Sequence, residues 1–498
     1  MKTGRKRTIS AILAGLFLLL LVVPGCDHEN TSEQNLPVYQ VPKEPVTLRV
    51  VYDSNVFPGP QGMLKYLKEM GSAFEDAHEN VRIVLEEYSE ADPLAVDEFR
   101  THLETEMAND EGPDLYLLST GNTTSPYHQT PLFEDVNRAM REELFFDIGD
   151  YYDADRELTD GLNEAVMDAG VVNGFRYTLP IRFDYPVAAV NLKAFREAGL
   201  DESIFDRGIN EVLYSIAQTG NPELAAAADL KLSACCLPFF ADLIGYETEE
   251  VLVGKEELVN FLENWYPYHR LAAAAEIESG TASFQNYLAD RQTWLQRGYP
   301  IHFCSLETVL QNTAFAKAEG IELGLYPLTG SDGRLVAEVA VYGAVGANCK
   351  HPTLAYEFLR QFLTEEVQWE SDIPGFDISL DNMMFAGYPV RTAGSVPVYV
   401  RNLSRKAIAV VHSMPWLEPD LANPSSPVNL LSAVELSDED VPVLQTEIDI
   451  VRYPIPVVEG IFGWEHTYRS PEEIPDAPDL DAAAADFLSQ LEQLLQEN

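Results

Sequence analysis

The first part of the folded chain alternates between strand and helix patterns, and this alternation constrains the fold more than any other feature. Apolar side chains recur at every second position around 46–50 and 81–85, as in half-buried strands, and after Asp114 an apolar run fills 115–118. Stripes of apolar residues at helical spacing separate these runs at 63–74 and 96–107. Strand–helix–strand units join through right-handed crossovers into parallel sheets. The sequence therefore predicts an α/β fold with a mostly parallel sheet.

Short polar side chains follow two of these predicted strands. Asp53 and Ser54 come directly after the first strand, and Ser119 and Thr120 come after the third. The carboxyl ends of neighbouring parallel strands meet at one edge of a sheet, which is where such sheets hold their ligands. We therefore predict that these four residues contact a ligand; ordinary solvated loops are the alternative.

The first 25 residues have the pattern of an export signal. Four basic residues precede an apolar stretch at 9–23, which is shorter than the roughly 20 apolar residues needed to span a bilayer. The stretch Val22–Cys26 resembles a bacterial lipobox, with an unusual Pro24. We predict a lipoprotein signal at 1–25 and acylation of Cys26, which anchors the protein to the extracytoplasmic face of the cell membrane. An ordinary cleaved signal is the alternative.

The segment after the signal and the charge of the whole chain bear on its partners. Residues 26–45 are rich in proline and polar side chains and predict a flexible tether. The formal charge of the 498-residue chain is −47 at pH 7. Such a chain is repelled by nucleic acid and by anionic lipid headgroups. We therefore expect no nucleic-acid partner, and membrane attachment through the lipid on Cys26.

Motifs for catalysis, metals and cofactors are missing from the sequence. There is no HExxH, no GxSxG and no phosphate-binding glycine loop, and Cys235, Cys236, Cys304 and Cys349 do not have zinc-ligand spacing. We interpret these cysteines as buried thiols, with disulfide pairing left open. The run 330–333 suggests a turn more than a calcium loop. We therefore predict a protein without catalytic activity, metal or cofactor. Glycosidases use a pair of carboxylates, and among 80 acidic residues such a pair cannot be recognised from the sequence, so a glycosidase is the alternative.

Three groups of segments carry a family resemblance. They are Phe74-Glu75-Asp76-Ala77-His78 with Gly112-Pro113-Asp114-Leu115, then Asn173-Gly174 through Leu179-Pro180-Ile181-Arg182-Phe183-Asp184 with Asn191 to Leu200, and Tyr342-Gly343-Ala344-Val345 with Ala355-Tyr356-Glu357-Phe358-Leu359. In order and spacing the chain resembles the carbohydrate-type extracellular solute-binding proteins (family 1) of ATP-binding cassette importers. It departs from that family at Ala189-Val190, where the family often has two tyrosines. We therefore predict no aromatic ligand contact at these two positions.

The resemblance implies a two-lobe fold of the type II periplasmic-binding-protein kind, with a hinge and a ligand cleft between the lobes. We place the first lobe at 46–183 plus 299–340 and the second lobe at 187–298 plus 345–498. The implied function is capture of a carbohydrate, an oligosaccharide above all, and its delivery to the permease subunits of the importer. A surface glycosidase, a polymer-binding adhesin, and a binding protein for peptides or polyamines are the alternatives.

Four further residues are candidates for ligand contact. Arg182 and Asp184 stand at the predicted first crossing between the lobes. Trp265 and Trp294 belong to the predicted second lobe, and sugar sites stack pyranose faces on aromatic rings. Ordinary core packing is the alternative for both tryptophans, and a solvated loop is the alternative for Arg182 and Asp184.

Overall fold

The computed structural model describes most of the chain after the N-terminal segment. The described residues are 44–53, 62–88, 93–120, 131–228, 243–245, 248, 250–279, 294–295, 298–368, 387–392, 434–455 and 479–496. The predicted signal, Cys26, the tether up to residue 43, Ser54, Cys235 and Cys236 lie outside these residues.

The described strands and helices follow the alternation expected from the sequence from β1 to β3, and later in the chain β4 to β7 follow one another without a helix between them. The strands are β1 (Val46–Asp53), β2 (Val81–Tyr88), β3 (Leu115–Ser119), β4 (Val171–Val172), β5 (Phe175–Arg176), β6 (Thr178–Asp184), β7 (Val187–Asn191), β8 (Ile244–Gly245), β9 (Glu250–Val251), β10 (Ile301–Cys304), β11 (Leu323–Pro327), β12 (Val336–Val345), β13 (Tyr388–Pro389) and β14 (Ile450–Arg452). The α-helices are α1 (Gly62–Ala77), α2 (Pro93–Ala108), α3 (Val136–Arg141), α4 (Gly149–Ala154), α5 (Arg156–Thr159), α6 (Glu164–Asp168), α7 (Leu192–Glu197), α8 (Ile209–Gln218), α9 (Pro222–Ala228), α10 (Lys255–Ser279), α11 (Leu306–Glu319), α12 (Pro352–Leu359), α13 (Glu365–Gln368) and α14 (Leu480–Gln496). Short 3-10 helices occupy Glu202–Arg207, Arg360–Leu363, Asp438–Asp440 and Pro442–Gln445.

The first lobe is built on a sheet with strand order β13-β6-β12-β3-β1-β2, and β14 pairs with β12. β1 is parallel to both β2 and β3, as the strand–helix alternation predicts. β12 is antiparallel to β3 and to β6, so the sheet is mixed rather than mostly parallel. The reason is that β12 enters from the second lobe, at the edge where β3 and β6 end, and must run in the opposite direction.

An aromatic-rich core fills one face of this sheet. Its members come from the sheet strands and from the helices that cover them, and they include Tyr88, Tyr116, Phe145, Tyr342 and Tyr453. Tyr342 makes edge contacts with both Phe145 and Tyr453. Such edge-to-face pairs add to the free energy of burying the rings.

The second lobe has a smaller antiparallel sheet with strand order β10-β7-β11. A large apolar core joins one face of this sheet to α8, α9, α10 and α14. A smaller apolar cluster, containing Ala189 and Phe315, lies against α11.

The strand pairing differs from the predicted lobe boundaries. We placed 299–340 in the first lobe, but β10 and β11 both pair with β7 of the second sheet. We placed 345–498 in the second lobe, but β13 and β14 pair with strands of the first sheet. Apolar alternation shows that a segment has one buried face, and it does not identify the sheet that the segment joins.

The chain passes between the two lobes at three described places, which we call the hinge passages: 184–187, 328–336 and 453–455. The first two are joined where Leu328 N donates to Pro186 O at 3.0 Å. Asp449, which precedes β14, accepts a hydrogen bond from Leu335 N at 2.7 Å through Oδ2. The first two hinge passages are therefore bonded to each other, and the second is bonded to the residue that precedes β14.

Among the residues that the structure describes, no helix combines the length and the apolar character that crossing a membrane requires.

Candidate functional site

The candidate site lies at the edge of the first sheet where β1, β3 and β6 end and β12 begins, which we call the carboxyl edge. Parallel pairing of β1 with β3 sets Tyr52 opposite Leu117, so that the last residues of both strands reach this edge side by side. The edge is also where the chain leaves the first lobe after β6.

Asp53 and Ser119 meet at the carboxyl edge. The Ser119 hydroxyl donates a hydrogen bond to Oδ2 of Asp53. Asp53 is 0% exposed and Ser119 is 5% exposed. The structure thus brings together two of the predicted contact residues, as expected from two parallel strands that end at the same level.

Thr120 binds the neighbouring strand rather than pointing to its own loop. Its hydroxyl donates to Val339 O of β12 at 2.7 Å, and its N–H donates to Ala340 O at 3.1 Å. These bonds hold the end of β3 against the start of β12 and so stabilise the position of Ser119.

Arg182 is buried and bound to a glutamine that the sequence did not single out. Its Nη1 donates to Gln368 Oε1 at 3.1 Å and its Nη2 donates to Gln368 O at 3.2 Å. Gln368 is itself buried; its Nε2 donates to Ile181 O and to Phe362 O, and its Oε1 accepts from Val390 N. The arginine therefore ties β6 to the segments around it, and its charge also acts on Tyr388: burial raises the pKa of that phenol, while Arg182 opposes the rise.

Asp184 is buried at the end of β6, where the first hinge passage begins. Its Oδ1 accepts hydrogen bonds from Tyr185 N at 2.8 Å and from Leu306 N at 2.9 Å. Leu306 is the first residue of α11 in the second lobe. The carboxylate thus contacts both lobes at once.

Glu338 and Arg452 form an ion pair at the same edge. Arg452 Nε lies 3.5 Å from Glu338 Oε1, and the two side chains are 13% and 5% exposed respectively. Glu338 is also the cross-strand neighbour of Asp184. This pair was not predicted from the sequence, although a lone acid in the otherwise apolar strand β12 was the available signal.

The two candidate tryptophans are packed inside the second lobe. Trp265 is 1% exposed, belongs to the large core and stacks on His269 with ring centroids 4.5 Å apart. Trp294 is 3% exposed and its Nε1 donates to Asn312 Oδ1 at 3.1 Å. The structure does not bring either ring to the Asp53–Ser119 pair.

Three other features that the sequence analysis considered, namely metal ligands, the run 330–333 and the cysteines, can be compared with the described residues. No group of three or more possible metal ligands occurs among them. In the run 330–333, Asp332 accepts from Arg334 N at 3.0 Å and pairs with the Arg334 guanidinium, as in a turn. Burial raises the pKa of the Cys349 thiol to about 12, which leaves it protonated at neutral pH.

A cavity of about 500 Å³ lies at the opposite edge of the first sheet. It is lined by one face of α2, by the turn Gly112-Pro113 before β3 and by Ala347-Asn348 after β12. None of the predicted contact residues lines it.

Comparisons with known proteins identify the fold. No family model matches the chain, and no curated protein sequence matches it. A sugar transporter from Rhizobium etli in an open conformation is similar with a TM-score of 0.51 and 13% identity, over 89% of this chain and 98% of that one. A de novo designed cysteine esterase is similar with a TM-score of 0.52 and 13% identity, over 92% of this chain and 99% of that one. An extracellular solute-binding protein of family 1 from Alicyclobacillus acidocaldarius gives a TM-score of 0.48 and 13% identity, over 91% and 100%.

At 13% identity, the likeness to the two structures with TM-scores above 0.5 concerns the fold alone, and it covers 89% or more of this chain and 98% or more of theirs. Together with the two sheets and the three hinge passages, it confirms the expected fold class. The chain has the two-lobe α/β fold of the periplasmic-binding-protein type.

Proposed function

We propose that this protein is a lipid-anchored, extracytoplasmic solute-binding protein that captures a carbohydrate, an oligosaccharide above all, between its lobes and delivers it to the permease of an ATP-binding cassette importer. The observation that carries the proposal is the Asp53–Ser119 pair at the carboxyl edge of the first lobe. In an open α/β sheet this edge is where ligands bind.

The chemistry of the pair suits hydroxyl groups. An ionised carboxylate has about four acceptor sites on two oxygens, so Asp53 has the capacity to accept more than the one bond from Ser119. Asp53 is buried in the structure, so the proposal has the lobes open far enough for a sugar hydroxyl to reach it. The Ser119 hydroxyl holds the carboxylate in one orientation before a ligand arrives. Preorganised acceptors lose less conformational entropy on binding, which favours affinity for a polar, uncharged ligand.

The similar sugar transporter from Rhizobium etli supports the carbohydrate class. Its identity to this chain is only 13%, so the solute specificity proposed for this chain rests on the residues of its own site. The charges at the carboxyl edge are largely engaged: Glu338 pairs with Arg452, Arg182 binds Gln368, and Asp184 accepts two backbone N–H groups. This arrangement favours an uncharged solute over an anion.

A cationic solute is the second candidate. The formal charge of −47 attracts cations at long range, and Asp53 offers a carboxylate to an amine. Salt dependence of binding separates this candidate from the first.

A thermal-shift screen tests the proposed function. Mono- and oligosaccharides, short peptides and polyamines are added to the protein, and a solute at 100 times its Kd stabilises the folded state by about 2.7 kcal/mol. A shift with a sugar, without turnover of that sugar, supports the proposal. A shift with peptides or polyamines alone contradicts the carbohydrate assignment, and turnover of a labelled oligosaccharide supports the glycosidase alternative.

Membrane anchoring has a separate test. The full chain and its Cys26→Ser variant are expressed in a bacterial host, and the membrane fraction is assayed for lipid labelling of the protein. The wild-type chain should carry label and the variant should not. Equal labelling of both contradicts the predicted acylation of Cys26.

A further inference from the structure

We propose that Asp184 is a hinge residue that couples the orientation of the two lobes, by capping helix α11 of the second lobe from strand β6 of the first. The effect of this coupling on ligand affinity rests on the proposed function, because lobe orientation affects affinity only in a protein that binds its ligand between the lobes. The coupling itself stands on the geometry of the hinge.

The carboxylate of Asp184 bonds the beginning of α11. The first N–H groups of a helix have no partner within the helix and need one from outside. For α11, the N-cap residue Ser305 makes no side-chain capping bond, and Leu306 N donates instead to Asp184 Oδ1 at 2.9 Å. A negative group at this position also interacts favourably with the helix dipole.

The capped helix belongs to the second lobe and the capping residue to the first. Phe315 and Ala316 of α11 pack against Ala189 of β7 in the second sheet. Asp184 pairs in register with Glu338 of β12 in the first sheet. The hydrogen bond between Asp184 Oδ1 and Leu306 N therefore runs from a strand of the first sheet to a helix packed on the second sheet, and we infer that it resists rotation of one lobe against the other.

A second buried acid lies next to Asp184 on the adjacent strand. Asp184 and Glu338 are buried acids on adjacent strands, 4% and 3% exposed. Two like charges side by side in a buried position are unfavourable unless each is compensated. Arg452 compensates Glu338 at 3.5 Å, and the N-terminus of α11 compensates Asp184.

Substitution of Asp184 removes the cap, whereas the main-chain hydrogen bonds of the hinge do not depend on any one side chain. The bond from Leu328 N to Pro186 O also joins two hinge passages, but it involves main-chain atoms alone. The bonds of Asp184 depend on one side chain. We therefore assign to Asp184 the role of stabilising the lobe orientation seen in the structure.

The experiment compares Asp184→Ala, Asp184→Asn and the wild-type protein, without ligand. Amide hydrogen exchange of Leu306 reports the cap, and small-angle X-ray scattering reports the lobe orientation. In Asp184→Ala, Leu306 should exchange about tenfold faster, as expected for loss of one helix cap, and the scattering profile should differ from that of the wild type. Asp184→Asn keeps an acceptor oxygen and should restore most of both readouts.

Asp135→Ala is the matched control, because Asp135 caps α3 within the first lobe through Arg138 N at 2.9 Å. It should speed exchange at Arg138 and leave the scattering profile unchanged. Faster exchange at Leu306 with unchanged scattering in Asp184→Ala would show that the cap acts only locally, and would overturn the proposal. None of these readouts requires a ligand, so a failure of the proposed function in the screen above leaves this test intact.

Discussion

Ser119 donates its hydroxyl hydrogen to the carboxylate of Asp53, at the point where two parallel strands of the first lobe end together. The donor comes from β3 and the acceptor from β1, 66 residues earlier in the chain. Both side chains are buried. This contact fixes one carboxylate orientation at the edge of the sheet where we place the ligand.

Loss of the Asp53–Ser119 pair should weaken solute binding. Asp53→Asn removes a charged acceptor, and hydrogen bonds to charged groups contribute about 1.5–3 kcal/mol, so Kd should rise roughly 10- to 100-fold. Ser119→Ala should raise Kd by less, since it removes the orienting donor and leaves the acceptor. Isothermal titration with the sugar found in the thermal-shift screen measures both.

The controls for this prediction are Asp201→Asn and Thr105→Ala. Asp201 accepts from Ser203 N, and the Thr105 hydroxyl donates to Thr101 O; both contacts are exposed. They should leave Kd unchanged within twofold. If Asp53→Asn binds the solute as tightly as these controls do, the pair is not part of the binding site.

Binding should depend only weakly on salt. A neutral sugar has no net charge to be screened, so its Kd should change less than twofold between 0.01 M and 1 M salt, over which the Debye length falls from about 30 Å to about 3 Å. A polyamine would lose affinity steeply over the same range. The measurement is a titration series at constant pH, and a strong loss of affinity at high salt would support the cationic solute.

Protonation of His269 should destabilise the second lobe in acid. Burial lowers the pKa of His269 from 6.5 to about 4. Because the folded-state pKa is below the unfolded-state value, the unfolded chain binds more protons between these pH values, and stability is lost as the pH falls from about 6.5 toward 4. The loss should approach about 2–3 kcal/mol at the acid end, allowing for the partial exposure of the ring.

A substitution isolates this effect from those of the other titrating groups. His269→Phe keeps an aromatic ring against Trp265 and removes the titration, so its free energy of unfolding should fall less than that of the wild type between pH 6.5 and pH 4. Urea unfolding at several pH values measures the difference. His102→Phe removes an exposed histidine and serves as the control. Parallel pH profiles for His269→Phe and the wild type would refute the prediction.

The ion pair between Asp155 and Arg360 should be needed for stability of the first lobe. Arg360 Nε and Nη2 contact the two Asp155 oxygens at 2.5 and 2.9 Å, and the Asp155 side chain is 2% exposed. Arg360→Met leaves that carboxylate buried without its cation, which should lower the free energy of unfolding by about 3–5 kcal/mol.

Two further variants complete the test of this pair. Adding Asp155→Asn to Arg360→Met removes the buried charge and should recover part of the loss. Arg207→Met breaks the more exposed pair with Glu211 and should change stability by less than about 1 kcal/mol. Equal losses for Arg360→Met and Arg207→Met, by urea unfolding, would mean that burial of Asp155 does not matter.

Local patterns in the sequence were enough to predict the beginning of the first lobe. Strands β1, β2 and β3 and helices α1 and α2 follow from apolar periodicity, and their succession makes the three strands parallel neighbours. The meeting of Asp53 with Ser119 needs, in addition, that β3 pairs with β1 rather than with β2. The local patterns predict the strands and their direction, and the order of the strands in the sheet comes from the tertiary structure.

The tertiary structure decided what depends on contacts between distant segments. Packing between parts of the chain more than 100 residues apart decides that β10 joins β7 and not the first sheet. It also decides that Asp184 meets the start of α11. The same holds for Trp265, whose ring is as compatible with a sugar site as with a core until the surrounding helices enclose it. Periodicity reports that a side chain is buried, and only the assembled fold determines which surface buries it.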